Sequence, residues 1–329
     1  MKAELLGEEH LLDGGNIEMN ATAKLAGEIT WKSSKQSYLT ARLLADRDLV
    51  EDCLRAYAYF RWADDRIDIF LHDPVERMEF LHSQRVLQER LYRDEKPASL
   101  SPGEEMLVDL IAHSRGQGSG LRSFIDNFMS VMEFDAQRAG RAVTRSELAG
   151  YTSCLATAVM DGIQYFVGNG HPYPRTHDRS LSVTGAHLTH MLRDLHEDLP
   201  AGYYNIPLEV LDMQAMGPED LRSEPVRTWV REQVILARSC LQHGKAYIDS
   251  LEVLRCKLAG YWYSARFERV LEAIERDGYC LRADYADCRG LAAWAGMLGL
   301  GITVVLRHFQ TRLQSIFANL IGWTASDSG

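Results

Sequence analysis

Proline is spread so unevenly along this chain that its placement alone restricts the fold. The nine prolines leave two long stretches, Gly103 to His171 and Val226 to Gly329, with none. A proline inside a helix removes a hydrogen bond and clashes with the preceding turn, so stretches this long without one permit long helices. β-branched alternating runs are scarce, which argues against sheet. Breakers fall at Asp73-Pro74, Pro97 to Gly103, Gly168 to Pro174, Pro200-Ala201-Gly202 and Gly217-Pro218, each the length of a connection between bundled helices. With 46% hydrophobic residues among 329, the chain can bury one large core. The expectation is one all-α domain over residues 26–323, with a flexible N-terminus over 1–25 and a flexible tail over 324–329.

Two runs carry acidic side chains one helical turn apart. The first is Tyr57-Ala58-Tyr59-Phe60-Arg61-Trp62-Ala63-Asp64-Asp65-Arg66-Ile67-Asp68, and the second is His190-Met191-Leu192-Arg193-Asp194-Leu195-His196-Glu197-Asp198. On a helix Asp64 would stack on Asp68 and Asp194 on Asp198, and each like-charge pair costs a few tenths of a kcal/mol unless compensated. Mg2+ would compensate it, because the ion binds hard carboxylate oxygens and completes its shell with water and substrate phosphate. Such runs can also be plain solvated faces. Here, however, both are embedded in apolar and aromatic residues and hold an interior arginine, Arg61 or Arg193, which suits a water-poor cleft that handles an anion on metal.

These residues resemble the squalene/phytoene synthases, which join isoprenyl diphosphates on an all-helical isoprenoid synthase bundle with a central metal and diphosphate cleft. Tyr57 to Asp68 is similar to that family's first signature, and Gly185 to Pro207 to its second. Ser34-Lys35-Gln36-Ser37-Tyr38 resembles its short Ser-x-Ser-aromatic segment. The likeness runs from about residue 30 to residue 290. It implies Mg2+ ligands at Asp64, Asp68, Asp194 and Asp198, and diphosphate contacts at Lys35, Ser37, Tyr38, Arg61 and Arg193. It also implies catalytic roles for Tyr57 and Tyr151, although a tyrosine at 151 is as often a core residue with its hydroxyl bonded.

Departures from the family pattern indicate which reaction to expect. His187 and His190 replace a glutamine and an asparagine, and they share one helical stripe with Asp194 and Asp198. A histidine there can donate to diphosphate, ligate metal or take a proton. Phe267 and Asp284 stand where the family has a hydroxylated aromatic and an arginine, with Arg282 close by; Tyr203 stands at the arginine of the glycine-arginine-x-tyrosine that closes the second signature, here Gly202-Tyr203-Tyr204-Asn205. Met160, in place of a glycine, should line and narrow a tunnel built for long chains. These changes keep the parts that ionise one diphosphate and weaken those that hold a second anion. The expected reaction is transfer from a short donor, C5 to C10, to an acceptor without diphosphate, as in squalene-synthase-like prenyltransferases of natural-product biosynthesis that act on aromatic, carbazole-type acceptors. The alternative is a head-to-head synthase making phytoene or presqualene diphosphate.

Other classes fit less well. A net charge of −10 opposes nucleic-acid binding, which calls for a basic stripe. Six cysteines without zinc-type spacing and an N-terminus without signal-peptide layout point to the cytoplasm. The longest uncharged run, Leu291 to Leu306, is shorter than the roughly 18 to 20 residues needed to cross a bilayer. We expect a buried C-terminal helix there, with peripheral membrane contact left open.

Overall fold

A computed structural model describes residues 17–71, 73–114, 120–168, 170–171, 173–174, 176–212, 221–289 and 291–326. Twelve α-helices and no strand occur among the described residues. They group into two compact units, one formed by residues up to His72 together with His82–Gly118, the other by Asp73–Leu81 and Ser119 onward.

The first unit contains α1 (Ile17–Ser33), α2 (Lys35–Leu44), α3 (Val50–Asp65), the later part of α4 (Pro74–Tyr92) and α5 (Pro102–Ser114). Two expected breaks mark helix starts: Pro74 opens α4 and Pro102 opens α5, where a missing amide hydrogen costs nothing. Residues 17–25, expected to be flexible, belong to α1. They are held because Thr22 is buried, donates to Asp109 at 2.5 Å and accepts from the buried Arg55 at 3.1 Å. Residues 1–16 lie outside the described residues.

The second unit contains α6 (Gly120–Arg138), α7 (Arg145–Val167), α8 (Leu181–Asp198), α9 (Leu208–Asp212), α10 (Glu224–Ser250), α11 (Leu254–Arg276) and α12 (Leu291–Ser326). A capping box starts α7, with the Thr144 hydroxyl accepting from the Glu147 amide and the Glu147 carboxylate accepting from the Thr144 amide. On α8 the apolar face, Leu188, Met191, Leu192 and Leu195, joins a core with Trp229, Val230 and Val234 of α10 and Leu271 of α11. That burial fixes the rotation of α8 and turns its histidine and aspartate stripe away from the α10 side.

The breaker Pro200-Ala201-Gly202 ends α8 and does more than terminate it. Gly202 takes φ +85° and Gly140, in the α6–α7 connection, takes φ +78°, values that only glycine adopts without strain. The Gly140 amide donates to the Gly202 carbonyl at 2.8 Å, and the Leu208 amide to the Val143 carbonyl at 2.8 Å. The two connections therefore run side by side.

The C-terminal helix differs from expectation. Val304 and His308 of α12 are buried, and Val304 packs with Ile248 and Tyr261. Leu298, Ile302, Leu306, Phe309 and Leu313, however, are more than half exposed. The helix is thus covered on one face and bare on the apolar face opposite. Among the described residues no helix is long and apolar enough to cross a membrane. The helix runs to Ser326, into the expected tail, and residues 327–329 lie outside the described residues.

Candidate active site

In the first unit, α3 carries Tyr57, Arg61 and Asp64 but stops at Asp65, and Asp68 sits in a five-residue π-helical turn, Arg66–Phe70. The Leu71 amide reaches back to the Arg66 carbonyl at 3.1 Å, the wide i to i+5 closure that recurs at functional sites. The expected α-helical stacking of Asp64 on Asp68 is therefore corrected: a widened turn sets their spacing. The like-charge cost is met locally, since Arg61 donates to Asp64 at 3.3 Å and to Asp65 at 2.5 Å. Nor is this end of the motif water-poor. The Arg61 and Asp64 side chains are 43% and 49% exposed, and Ile69 and Phe70 are more open still.

The serine segment forms the start of α2. Ser34 is its N-cap and accepts from the Ser37 amide at 3.1 Å. The Lys35 ammonium lies 5.4 Å from the Trp31 ring centre, and Trp31 meets Tyr38 edge-to-face at 5.2 Å. Lys35 and Tyr38 are thus brought together through Trp31.

In the second unit, α8 presents His187, His190, Asp194 and Asp198 along one stripe. His190 Nε2 lies 2.9 Å from Asp194 Oδ2, and Arg193 donates to both oxygens of the same carboxylate at 2.5 and 2.7 Å. Burial alone would raise the Asp194 carboxyl, but the hydrogen bonds from Arg193 and His190 override it and hold the group well below the usual carboxylate range. Asp198, one turn on, has the opposite character: burial, reinforced by the charge on Asp194, pushes it up to about 6. His187 is 5% exposed, neither ring nitrogen has a protein partner, and its ring meets Tyr151 edge-to-face at 5.0 Å. Burial, with the nearby His190 and Arg138, lowers it to about 3.

Phe267 of α11 is buried and meets His190 edge-on at 6.3 Å. The Arg266 guanidinium lies 4.5 Å from the Phe267 ring centre, so the ring that stands in place of a hydroxylated aromatic carries a cation from the neighbouring residue. Arg282 instead donates to Asp277 and lies over Tyr285. Met160 is buried on α7; Asp161 beside it accepts from Ser123 at 2.5 Å and from Arg179.

Sequence reasoning missed Asp135, Arg138 and Asn205. Arg138, at the end of α6, is buried, donates to Asp135 and to Asn205, each at 2.7 Å, and lies 5.1 Å from the Tyr203 ring centre. The positive charge expected to be absent at Tyr203 is therefore present, delivered from another helix. The signal in the sequence was Gly140 and Gly202, the glycines whose pairing brings the two connections together. Tyr151, partly buried, has its hydroxyl bonded to Asp135 at 2.9 Å.

Among the described residues no three His, Cys, Asp or Glu side chains converge into a closed metal cage. Mg2+ does not need one, since it commonly takes one or two carboxylates and leaves the rest of its shell to water and phosphate oxygens. A half-buried Asp198 pushed up to about 6 beside an ionised Asp194 is a site short of positive charge, and a dication there would favour the ionised form. The donor set fits Mg2+.

The squalene/phytoene synthase family model matches residues 31–289. Among solved structures, squalene synthase HpnC from Alicyclobacillus acidocaldarius is similar with a TM-score of 0.64 at 20% identity, covering 81% of this chain and 97% of that one. A dehydrosqualene synthase solved in complex with ligand gives a TM-score of 0.64 at 14% identity, covering 91% and 99%. At such identities the likeness is one of fold. No curated protein matches the chain by sequence.

Proposed function

Because the chain belongs to the squalene/phytoene synthase family, and is a prenyltransferase by that membership, we propose that it ionises one short isoprenyl diphosphate, C5 or C10, and transfers the prenyl group to an aromatic acceptor without diphosphate. The reading includes Mg2+ dependence, a cytoplasmic setting and a carbazole-like acceptor of natural-product biosynthesis. The observation that carries it is the polar face of α8, which holds an ionised Asp194, an Asp198 pushed up to about 6 and two histidines, of which His190 meets the ring of Phe267 edge-on.

Asp194 and Asp198 of the second unit, and Asp64 and Asp68 of the first, are the carboxylates that would hold Mg2+, which when bound would supply positive charge to a leaving diphosphate. Arg61, Arg193, Lys35 and Ser37 are the donors suited to its oxygens. The π faces of Tyr57, Tyr38 and Tyr151 suit an allylic cation, at about 0.5 to 2 kcal/mol each when dry. Attack by an electron-rich acceptor carbon leaves a proton on that carbon, and His190 is the better placed of the two histidines to take it. Its Nε2 faces Asp194 at 2.9 Å, so that nitrogen holds the hydrogen and Nδ1 is left as the acceptor, with the carboxylate stabilising the imidazolium. His187, buried and lowered to about 3, serves as a neutral wall against Tyr151.

Arg138 and Arg266 support a second reading, a head-to-head synthase, because guanidinium groups lie 5.1 and 4.5 Å from the rings of Tyr203 and Phe267, two positions where the family pattern is polar. Mass spectrometry of products decides between the two, with Mg2+, donors from C5 to C20, and each donor run with and without a hydroxylated polycyclic acceptor. A prenylated acceptor formed best from C5 or C10 is the expected result. A hydrocarbon or cyclopropyl diphosphate made from C15 or C20 donor alone establishes the synthase.

A further inference from the structure

Arg138 is 5% exposed, and the rings of Phe134, Tyr151 and Tyr203 lie 5.6, 5.1 and 5.1 Å from its guanidinium carbon. A buried cation left unpaired is strongly destabilising, and this one is paired on two sides. Its Nε donates to Asp135 Oδ1 and its Nη1 to Asn205 Oδ1, each at 2.7 Å. Each partner then reaches one candidate site residue. The Tyr151 hydroxyl donates to the other Asp135 oxygen at 2.9 Å, and the Asn205 amide nitrogen donates to Asp198 Oδ2 at 2.6 Å.

The contact with Arg138 fixes which way the Asn205 amide faces, because only its oxygen can accept from a guanidinium. The amide nitrogen is then aimed at Asp198. With Oδ2 taken in this way, Oδ1 is the oxygen left to serve a cation. We propose that Arg138 is a positioning residue that sets Asp198 and Tyr151 together, through Asn205 on one side and Asp135 on the other. A lysine cannot substitute, since its ammonium lacks the planar fork that addresses two partners in fixed directions. The anchored connections supply the frame: Gly140 and Gly202, bonded at 2.8 Å, hold Arg138 and Asn205 within reach across 67 residues of sequence.

This proposal rests on the reading that Asp198 serves Mg2+ and diphosphate, and the test separates the two. Calorimetric titration of Mg2+ with inorganic diphosphate as the probe is run on wild type, Asn205→Ala, Arg138→Lys and the double variant, with thermal unfolding recorded for each. Both single variants should weaken binding about 10- to 100-fold, the usual effect of losing a partner that orients a metal ligand. The double variant should bind no worse than Arg138→Lys alone, because Asn205 works only when Arg138 orients it. The Tyr151 ring resonances should shift in Arg138→Lys and stay in place in Asn205→Ala. If Arg138→Lys does not fold, Asn205→Ala decides, since it leaves the Asp135 pair intact. Unchanged binding in folded Asn205→Ala, or losses that simply add in the double variant, overturns the positioning role while the function stands. No uptake of the probe by wild type overturns the function, and the positioning role falls with it.

Discussion

Replacing His187 by phenylalanine should stabilise the protein at mildly acidic pH, and the gain should grow as pH falls. In the native state the imidazole is buried against Tyr151, with Arg138 and His190 the charged or titratable groups nearest to it. Burial is the main reason that it is lowered from 6.5 to about 3. Between those values the unfolded chain binds a proton that the native state refuses, so stability is fully present above the unfolded value and is lost as pH drops toward the folded one. From pH 7 to pH 5 the histidine's cost rises from a few tenths to about 2 kcal/mol, because each pKa unit is worth about 1.4 kcal/mol. Phenylalanine keeps the edge-on ring contact, worth about 0.5 to 1.5 kcal/mol, and has nothing to protonate.

The assay is urea unfolding at several pH values from 5 to 7.5, with hydrogen exchange of α8 amides as a local readout. All other titrating groups are common to both proteins and cancel in the difference. A changed fit of the phenylalanine ring shifts the whole curve and leaves its slope alone. The difference between variant and wild type should widen by about 2 kcal/mol from pH 7 to pH 5. A constant difference across that range would refute the reasoning, since it would mean that the native protein accepts a proton on His187 as readily as the unfolded chain does.

Asp64→Asn and Asp194→Asn should each lower Mg2+-dependent donor consumption by orders of magnitude with circular dichroism unchanged; full turnover in either variant, or in a chelator, counts against the metal reading. His190→Asn should reduce prenylated acceptor by about 10²- to 10⁴-fold, the usual worth of a general base, with a smaller effect on diphosphate release from donor alone. Equal losses in both would assign His190 to diphosphate binding instead. Met160→Ala should improve use of C15 against C5 donor in direct competition, and an unchanged preference would remove Met160 from the donor pocket.

The helical architecture was legible because proline spacing and breaker clusters are local signals, and local signals survive into the fold: Pro74 and Pro102 begin helices where expected, and Pro200 lies just past the end of α8. The α8 stripe was legible for the same reason, since four positions on one helix share a face whatever packs around them. Asp68 was not, because the sequence of α3 shows no mark of the change from α to π geometry at Arg66. The exposed apolar face of α12 was misjudged because an uncharged run tells how apolar a helix is and nothing about how many neighbours cover it.

The cations were misread for a deeper reason. Comparing position with position, Tyr203 and Phe267 each register as a place where charge or a hydroxyl has gone. Coulomb energy depends on distance in space, and in space the Arg138 guanidinium lies 5.1 Å from the Tyr203 ring centre and Arg266 lies 4.5 Å from that of Phe267. Both rings that replaced a polar group now carry an arginine, in one case from the end of α6 and in the other from the preceding residue. An aromatic ring is a suitable acceptor for a displaced guanidinium because its negative face attracts the cation while its area shields it from water. At 203 the charge comes from another part of the chain, and at 267 a ring without its hydroxyl sits beside a guanidinium, so positive charge remains around the α8 face. That is why Asp198, one bond from Asn205 and two from Arg138, is where the chemistry of this site is most open to test.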